Sequence, residues 1–346
     1  MHYIVFDLEW NQSPKGKEGA VDHFPFEIIE IGAVKLDENR HPVGEFRQLI
    51  SPTVYKQLHF KISEVTHLDI ETLRREGVPF ETGMNRFLSW CGEEYRFVTW
   101  GSMDLTELQR NMVYYGLEIP FPMPLLYYDL QKLYSLQYGD GKEKLSLDQA
   151  VEQLQIPVDE EKPFHHAQDD AYYTGQIMER MEFEPVKEFL SMDYYRLPQR
   201  DEEEVTLAFP NYTKFVSKEF EVKEEALSNK RVSDVICCCC HRMLRKKIRW
   251  FALNPKLYVC LAVCPEHGLI RSKIRIKRSE SGGVFAVRTS KLADEAEAQS
   301  IAEKRNEVKQ RRTVKNREKR HRAGKAEGPK ARRGKHMARK AEEHDR

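Results

Sequence analysis

Met1-His-Tyr-Ile-Val-Phe-Asp-Leu-Glu-Trp10 is the stretch on which the reading of this chain turns. Tyr3 to Phe6 is a short run of aromatic and β-branched residues, the composition of a buried strand. Asp7 and Glu9 close that run two positions apart, and on a strand residues i and i+2 project from one face. Two carboxylates aimed at one place repel, and each raises the other's pKa unless a cation compensates. Hard divalent ions such as Mg²⁺ or Mn²⁺ take oxygen ligands of this kind. An Asp-x-Glu at a strand end can equally open a solvated loop, so the pair gains meaning only from further ligands supplied by distant chain.

Two later stretches offer them. Thr99-Trp-Gly-Ser-Met-Asp104 follows a predicted strand, and Phe164-His-His-Ala-Gln-Asp-Asp170 enters a helical pattern that runs to about Met181. The carboxylates Asp7, Glu9, Asp104 and Asp170, with His165 five residues before the last, resemble the DEDDh family of 3′–5′ exonucleases. The resemblance covers roughly Met1 to Met181. The spacing His165-x-Ala167-x-x-Asp170 separates this branch from relatives with a tyrosine near the last aspartate. Asp7-Leu-Glu-Trp-Asn11 and Trp100-Gly-Ser-Met-Asp104 look most like the bacterial KapD-type and histone-mRNA exonuclease-like branch.

The resemblance implies a ribonuclease H-like α/β fold, a mixed and mostly five-stranded sheet flanked by helices. It implies hydrolysis of terminal phosphodiesters from the 3′ end with two Mg²⁺ or Mn²⁺ ions. Asp7, Glu9 and Asp170 would hold one ion, Asp7 would bridge to the second, and Asp104 would act partly through water. His165 would take the proton of the attacking water, since histidine changes charge near neutral pH. His166 and Asp169 are expected on other faces. Glu30, in Glu30-Ile-Gly-Ala33, is expected to support the site rather than ligate. Ile62-Ser-Glu-Val-Thr-His-Leu68 resembles the family segment beside the terminal nucleotide. Val65, Thr66 and Leu68, with Leu8 and Trp10 of the first strand, would then line its base or sugar. His67 stands where the family usually has glycine, and the alternative is that this segment is simply a turn of the core.

The 346 residues are too many for one small domain. Four segments are expected: an exonuclease domain over 1–183, an acidic linker or arm over 184–230, a zinc-ribbon-like β-rich domain over 231–292, and a basic helical to disordered tail over 293–346. The net charge of +1 conceals an asymmetry. Through Lys230 there are 24 Lys/Arg against 42 Asp/Glu, and afterwards 32 against 13, so the back half suits a polyanion partner. No apolar run reaches the length of a membrane span, and no signal-peptide pattern precedes the first strand. A cytoplasmic protein is expected.

Strands are expected over Glu27–Lys35, Glu45–Ile50 and Arg96–Trp100. Helices are expected over Phe80–Trp90, Asp104–Tyr115, Leu125–Tyr138 and Ser146–Leu154. The sparse apolar residues around Phe209, Phe215 and Phe220 define no element and are expected as an arm on the first domain.

Six of the seven cysteines fall between Cys237 and Cys264. Cys237-x-x-Cys240 and Cys264-x-x-His267, with 23 residues between them, have zinc-ribbon spacing. Cys238, Cys239 and Cys260 are left over, and a redox role is the alternative to structural Zn²⁺. Gly268 suits a tight knuckle. Arg242, Arg245, Lys246, Lys247, Arg249, Arg271, Lys273, Arg275, Lys277 and Arg278 surround the motif and fit phosphate contacts.

The expected substrate is single-stranded nucleic acid, RNA ahead of DNA, although metals acting on phosphates do not distinguish them. Two other readings stand beside it. One is a nucleic-acid-, ribosome- or ribonucleoprotein-binding protein that uses the exonuclease-like domain as a scaffold. The other is a DNA proofreading exonuclease.

Overall fold

The computed structural model describes residues 1–326. The chain divides into one compact unit of Met1–Pro198 with Ser279–Gly282, and another of Gln199–Arg278 with the chain from Gly283.

In the first unit β1 (His2–Gln12), β2 (Phe26–Leu36) and β3 (Pro42–Leu49) form an antiparallel meander. Helices α1 (Phe60–Thr66), α2 (Ile70–Glu76) and α3 (Phe80–Cys91) lead to β4 (Tyr95–Thr99), which pairs parallel to β1. Next come α4 (Met103–Tyr114), β5 (Leu126–Asp129), α5 (Leu130–Tyr138), α6 (Leu147–Gln153), α7 (Ala167–Arg180) and the short edge strand β6 (Ser191–Met192). The strand order β3-β2-β1-β4-β5-β6 gives the mixed sheet of a ribonuclease H-like fold, with six strands rather than five.

The sheet is buried on both faces, which is why β1 reads as an apolar run rather than an alternating one. Ile4, Phe6 and Leu8 join Met84, Phe87, Leu105 and Leu108 on one side. Val5 lies on the other with Val34, Leu133, Tyr173 and Ile177. Asp7 and Glu9 continue the Val5 side, facing α7.

Two expectations are corrected. Leu125 to Tyr138 is not one helix: Leu126–Asp129 pairs parallel with β4, and Asp129 then caps α5 by accepting from the Lys132 amide. The residues expected to form an arm instead build the second unit. There, β7 (Val205–Phe209) and β8 (Tyr212–Phe220) form a hairpin. The acidic run before them is fastened rather than free, with Lys218 on Asp201 at 2.9 Å and Arg231 on the buried Glu204 at 2.6 Å.

After α8 (Lys223–Ser228) and α9 (Lys230–Ser233) come β9 (Arg245–Asn254), β10 (Leu257–Cys264), β11 (Gly268–Arg278) and β12 (Val284–Leu292). These complete a six-stranded antiparallel sheet in the order β7-β8-β12-β11-β10-β9. One face packs on α8 and α9 through Phe215, Ala226, Val232 and Ile274. Helix α10 (Glu295–Ala326) lays Ile301 on Phe251, Val259 and Leu261 of the other. The part of the tail expected to be disordered falls, from residue 327 on, outside the described residues.

Candidate active site and metal centres

Asp7 and Glu9 leave β1 on one face, and Asp170 reaches them from the first turn of α7. Their carboxylate oxygens lie within 4.8 Å of one another. A register shift between Glu9 and Trp10 marks a bulge at the strand's exit from this site, where bulges re-aim side chains. Asp104 stands outside that trio, 6% exposed on the first turn of α4, with the Leu8 amide donating to its carboxylate.

Helix α7 can come this close because β2 carries a glycine opposite Asp7. Gly32 pairs with Asp7, and a Cβ there would stand 2.0 Å from the Gln168 amide nitrogen and 2.1 Å from the Ala167 carbonyl carbon. No side chain fits between sheet and helix. Gly32→Ala therefore pushes the start of α7, and Asp170 with it, away from β1. A misplacement of about 1 Å at a reacting centre costs on the order of 10²-fold in rate, and overpacking costs roughly 1–3 kcal/mol of stability. Turnover and melting of this variant should fall together, while Gly44→Ala, whose Cβ meets nothing nearer than 3.7 Å, should leave turnover alone.

Burial raises every carboxyl of the site, and neighbouring acidic groups add to it. Asp7 is held well above the ordinary range by burial, then by Asp104, Asp170 and Glu9. Glu9 is pushed to about 9, Asp104 to about 7 and Asp170 to about 6, burial leading in each. Such a set of hard oxygen donors fits a divalent cation, which removes the repulsion.

The raised values have a measurable consequence. Below about pH 3 folded and unfolded chains both hold these protons, and the site adds no pH dependence. As pH rises, the unfolded chain loses protons that the folded chain keeps, so folding weakens until pH passes the Glu9 value of about 9. Without added Mg²⁺ or Mn²⁺, Glu9→Gln should melt higher than the parent at about pH 8, and the gap should narrow near pH 5. Thermal melts of both proteins at the two pH values, repeated with Mg²⁺, check this; a gap that does not depend on pH would contradict it.

His165 precedes α7 at φ 73°, exposed, and its amide donates to Asp170 Oδ1 at 3.2 Å. His166 faces elsewhere, into a cleft with Arg47, Lys162 and Asp169. The two neighbouring His/Asp pairs are thus separated by helix geometry. Glu30 lies opposite Glu9 on β2, fully buried, with Arg47 Nε donating to it at 2.6 Å. Arg47 thus sets a cation beside Glu30, while the Glu30 carboxylate adds to the charge that raises Asp7, Glu9 and Asp170. Sequence reasoning missed Arg47 and Gly32. It also missed the role of Asn11, fully buried in β1, where its side-chain amide donates to the Tyr55 and Gln57 carbonyls and fastens the segment leading to α1.

The expected substrate pocket is corrected for three side chains. Leu8 and Leu68 are core residues, packed respectively with Phe87 and with Ile29 and Leu73. The Thr66 hydroxyl is buried, donating to the Ile62 carbonyl and accepting from the Leu68 amide. Both leucines are buried because strand and turn must close the sheet's own core. Val65 is exposed and Trp10 half-buried.

In the second unit Cys237, Cys240, Cys264 and His267 present ligand atoms within 4.8 Å of one another. Cys237 Sγ and Cys264 Sγ lie 3.7 and 3.6 Å from His267 Nδ1, and Cys240 Sγ lies 3.7 Å from Cys264 Sγ. Gly268 closes the second knuckle at φ 76°. Burial raises the Cys264 thiol, but His267 and the backbone amides of Glu266 and His267 prevail and bring it to about 6. The spare cysteines stand apart: Cys238 neighbours Cys239, and Cys260 is buried with its thiol pushed up to about 12. Soft thiolates and one imidazole in this arrangement fit zinc.

Residues 4–178 match the model of the exonuclease family of RNase T type. The chain is 28% identical over 141 residues to the probable 3′-5′ exonuclease KapD of Bacillus subtilis (strain 168), a match covering 40% of this chain and 64% of that protein. Among solved structures it is similar to the nuclease domain of 3′hExo, a DEDDh family member bound to rAMP. That match has 21% identity and a TM-score of 0.46, and covers 56% of this chain and 96% of the other. It is also similar to E. coli exonuclease I in complex with an oligonucleotide, at 13% identity and a TM-score of 0.43, covering 75% and 54%.

Proposed function

The chain belongs to the exonuclease family whose model it matches, and on that premise we propose that it is a metal-dependent 3′–5′ exonuclease of single-stranded nucleic acid acting in the cytoplasm. The observation that carries this is the meeting of Asp7 and Glu9 from β1 with Asp170 from α7, beside His165. Asp7, Glu9 and Asp170 would hold Mg²⁺ or Mn²⁺, with Asp104 behind Asp7. Such ions supply stabilisation for the attacking and leaving oxygens of a phosphodiester. His165, exposed at the mouth of the site, takes a proton from the attacking water. Similarity of Trp100-Gly-Ser-Met-Asp104 to the histone-mRNA exonuclease-like branch puts RNA ahead of DNA. Matched 5′-labelled RNA and DNA strands incubated with Mn²⁺ or Mg²⁺ test the reading; an inert protein would favour the scaffold reading instead.

The second unit holds one structural Zn²⁺ and contributes nucleic-acid affinity. Metal analysis of protein purified without chelator should find about one zinc per chain. Cys237→Ser/Cys240→Ser should lose it and destabilise the second unit, because metal-binding free energy is folding free energy here. A zinc-free parent protein that melts like the zinc-loaded one would contradict this.

A further inference from the structure

We infer that an extended nucleic-acid strand lies along β11, its phosphates held by a basic ridge on the sheet face that α10 only partly covers. The inference rests on the reading that the second unit binds nucleic acid, and gives that binding a place. Along β11 the side chains alternate: Ile270, Ser272, Ile274 and Ile276 are buried, while Arg271, Lys273, Arg275 and Lys277 share the opposite face. Successive members of that row stand about 6.7 Å apart, two residues of strand rise, so the ridge presents cations in a regular line. An extended sugar–phosphate backbone presents one anion per nucleotide in the same manner.

The neighbouring strands widen the ridge. Lys273 pairs across β12 with Thr289, which pairs with Lys214 of β8, and Arg271 pairs with Lys291, which pairs with Tyr212. Tyr212 stacks on Phe209 at 4.4 Å, an aromatic pair beside the cations. Glu297 of α10 bridges Arg271 and Lys291 at 2.9 and 3.3 Å. Lys273 is lowered first by burial and then by the neighbouring cations Arg271 and Lys291, with Glu297 opposing them. The cleft at the far end of the strand is lined by four cations, Lys256, Arg275, Lys277 and Arg278, with Asn254, Leu257 and Ile276. Charge complementarity therefore selects a polyanion, and the linear spacing selects a single strand over a compact anion.

The test compares two charge-matched triple variants of the full chain, each built on Asp7→Asn so that strands survive. One is Lys273→Gln/Arg275→Gln/Lys277→Gln, and the other is the edge-strand set Arg245→Gln/Lys247→Gln/Arg249→Gln. Fluorescence anisotropy with labelled single-stranded RNA and DNA across a KCl series gives affinity and its salt dependence. Each lost phosphate contact removes about 0.7 from the slope of log K against log salt for single strands, so the ridge set should lose about 2. The edge set should lose less than half as much. If only the edge set weakens binding, or both do equally, the ridge placement is overturned while binding by the second unit stands. If neither weakens it, both ideas fall. Should the ridge triple melt early, Arg275→Gln alone, at an exposed position, should still remove about 0.7, and an unchanged slope would overturn the placement.

Discussion

Asp7→Ala should lower strand shortening by at least about 10³-fold, the loss expected when a group placing charge at a reacting phosphate is removed. Asp7 is the most constrained carboxylate of the set. It faces α7 from the centre of β1, pairs with Gly32, and is raised by burial and by all its acidic neighbours. The same features mean that the side chain opposes folding in the absence of a cation. The variant should therefore melt no lower than the parent without divalent ions, and lose the stabilisation that Mg²⁺ gives the parent. Activity assays paired with melts in both conditions check this. A variant that is inactive because it is unfolded would leave Asp7 a structural residue.

The second large effect is at His165. Its amide is tied to Asp170 and its backbone turns through the left-handed region, so His165 stands in the loop that enters α7 rather than inside the helix. His165→Ala should reduce turnover by about 10²-fold or more, the usual worth of a positioned proton acceptor. His166→Ala should do much less, since that ring lies in the cleft with Arg47, Lys162 and Asp169. Single-turnover rates for both variants decide between them. Equal losses would mean that both faces of the α7 entrance serve the reaction.

Much of the site could be read in the sequence because its chemistry sits at element boundaries. A buried strand ending in Asp-x-Glu and a helix beginning with His-x-x-x-x-Asp each declare a direction for their carboxylates. What could not be read depends on pairing between distant strands. Gly32 is informative only once it is known to lie opposite Asp7 and under the start of α7. Arg47 matters because β3 brings it to Glu30, and nothing local to Arg47 says so.

Two misreadings had local signals that were outweighed. Leu125-Leu-Tyr-Tyr reads as continuous with the helix that follows, although Asp129 is a ready cap in the middle of the run. Val205-Thr-Leu-Ala-Phe209 alternates strictly in burial, and Pro210-Asn211 makes the turn to β8. The acidic residues just before it suggested a solvated linker, yet Glu204 is buried against Arg231. Charge described the segment's composition but not its pairing. For the same reason a cut near Leu227 would sever β7, β8 and α8 from their sheet, and the boundary between units falls after Pro198.

The most direct test of the central claim follows one single strand carrying a label at either end. The parent protein, with Mn²⁺ or Mg²⁺, should convert 5′-labelled strand into a ladder of progressively shorter products and release a mononucleotide at once from 3′-labelled strand. Both reactions should stop when the divalent ion is withheld and when Asp7 is replaced. Shortening that proceeds without divalent ions, or a mononucleotide released first from the 5′ label, would contradict the account.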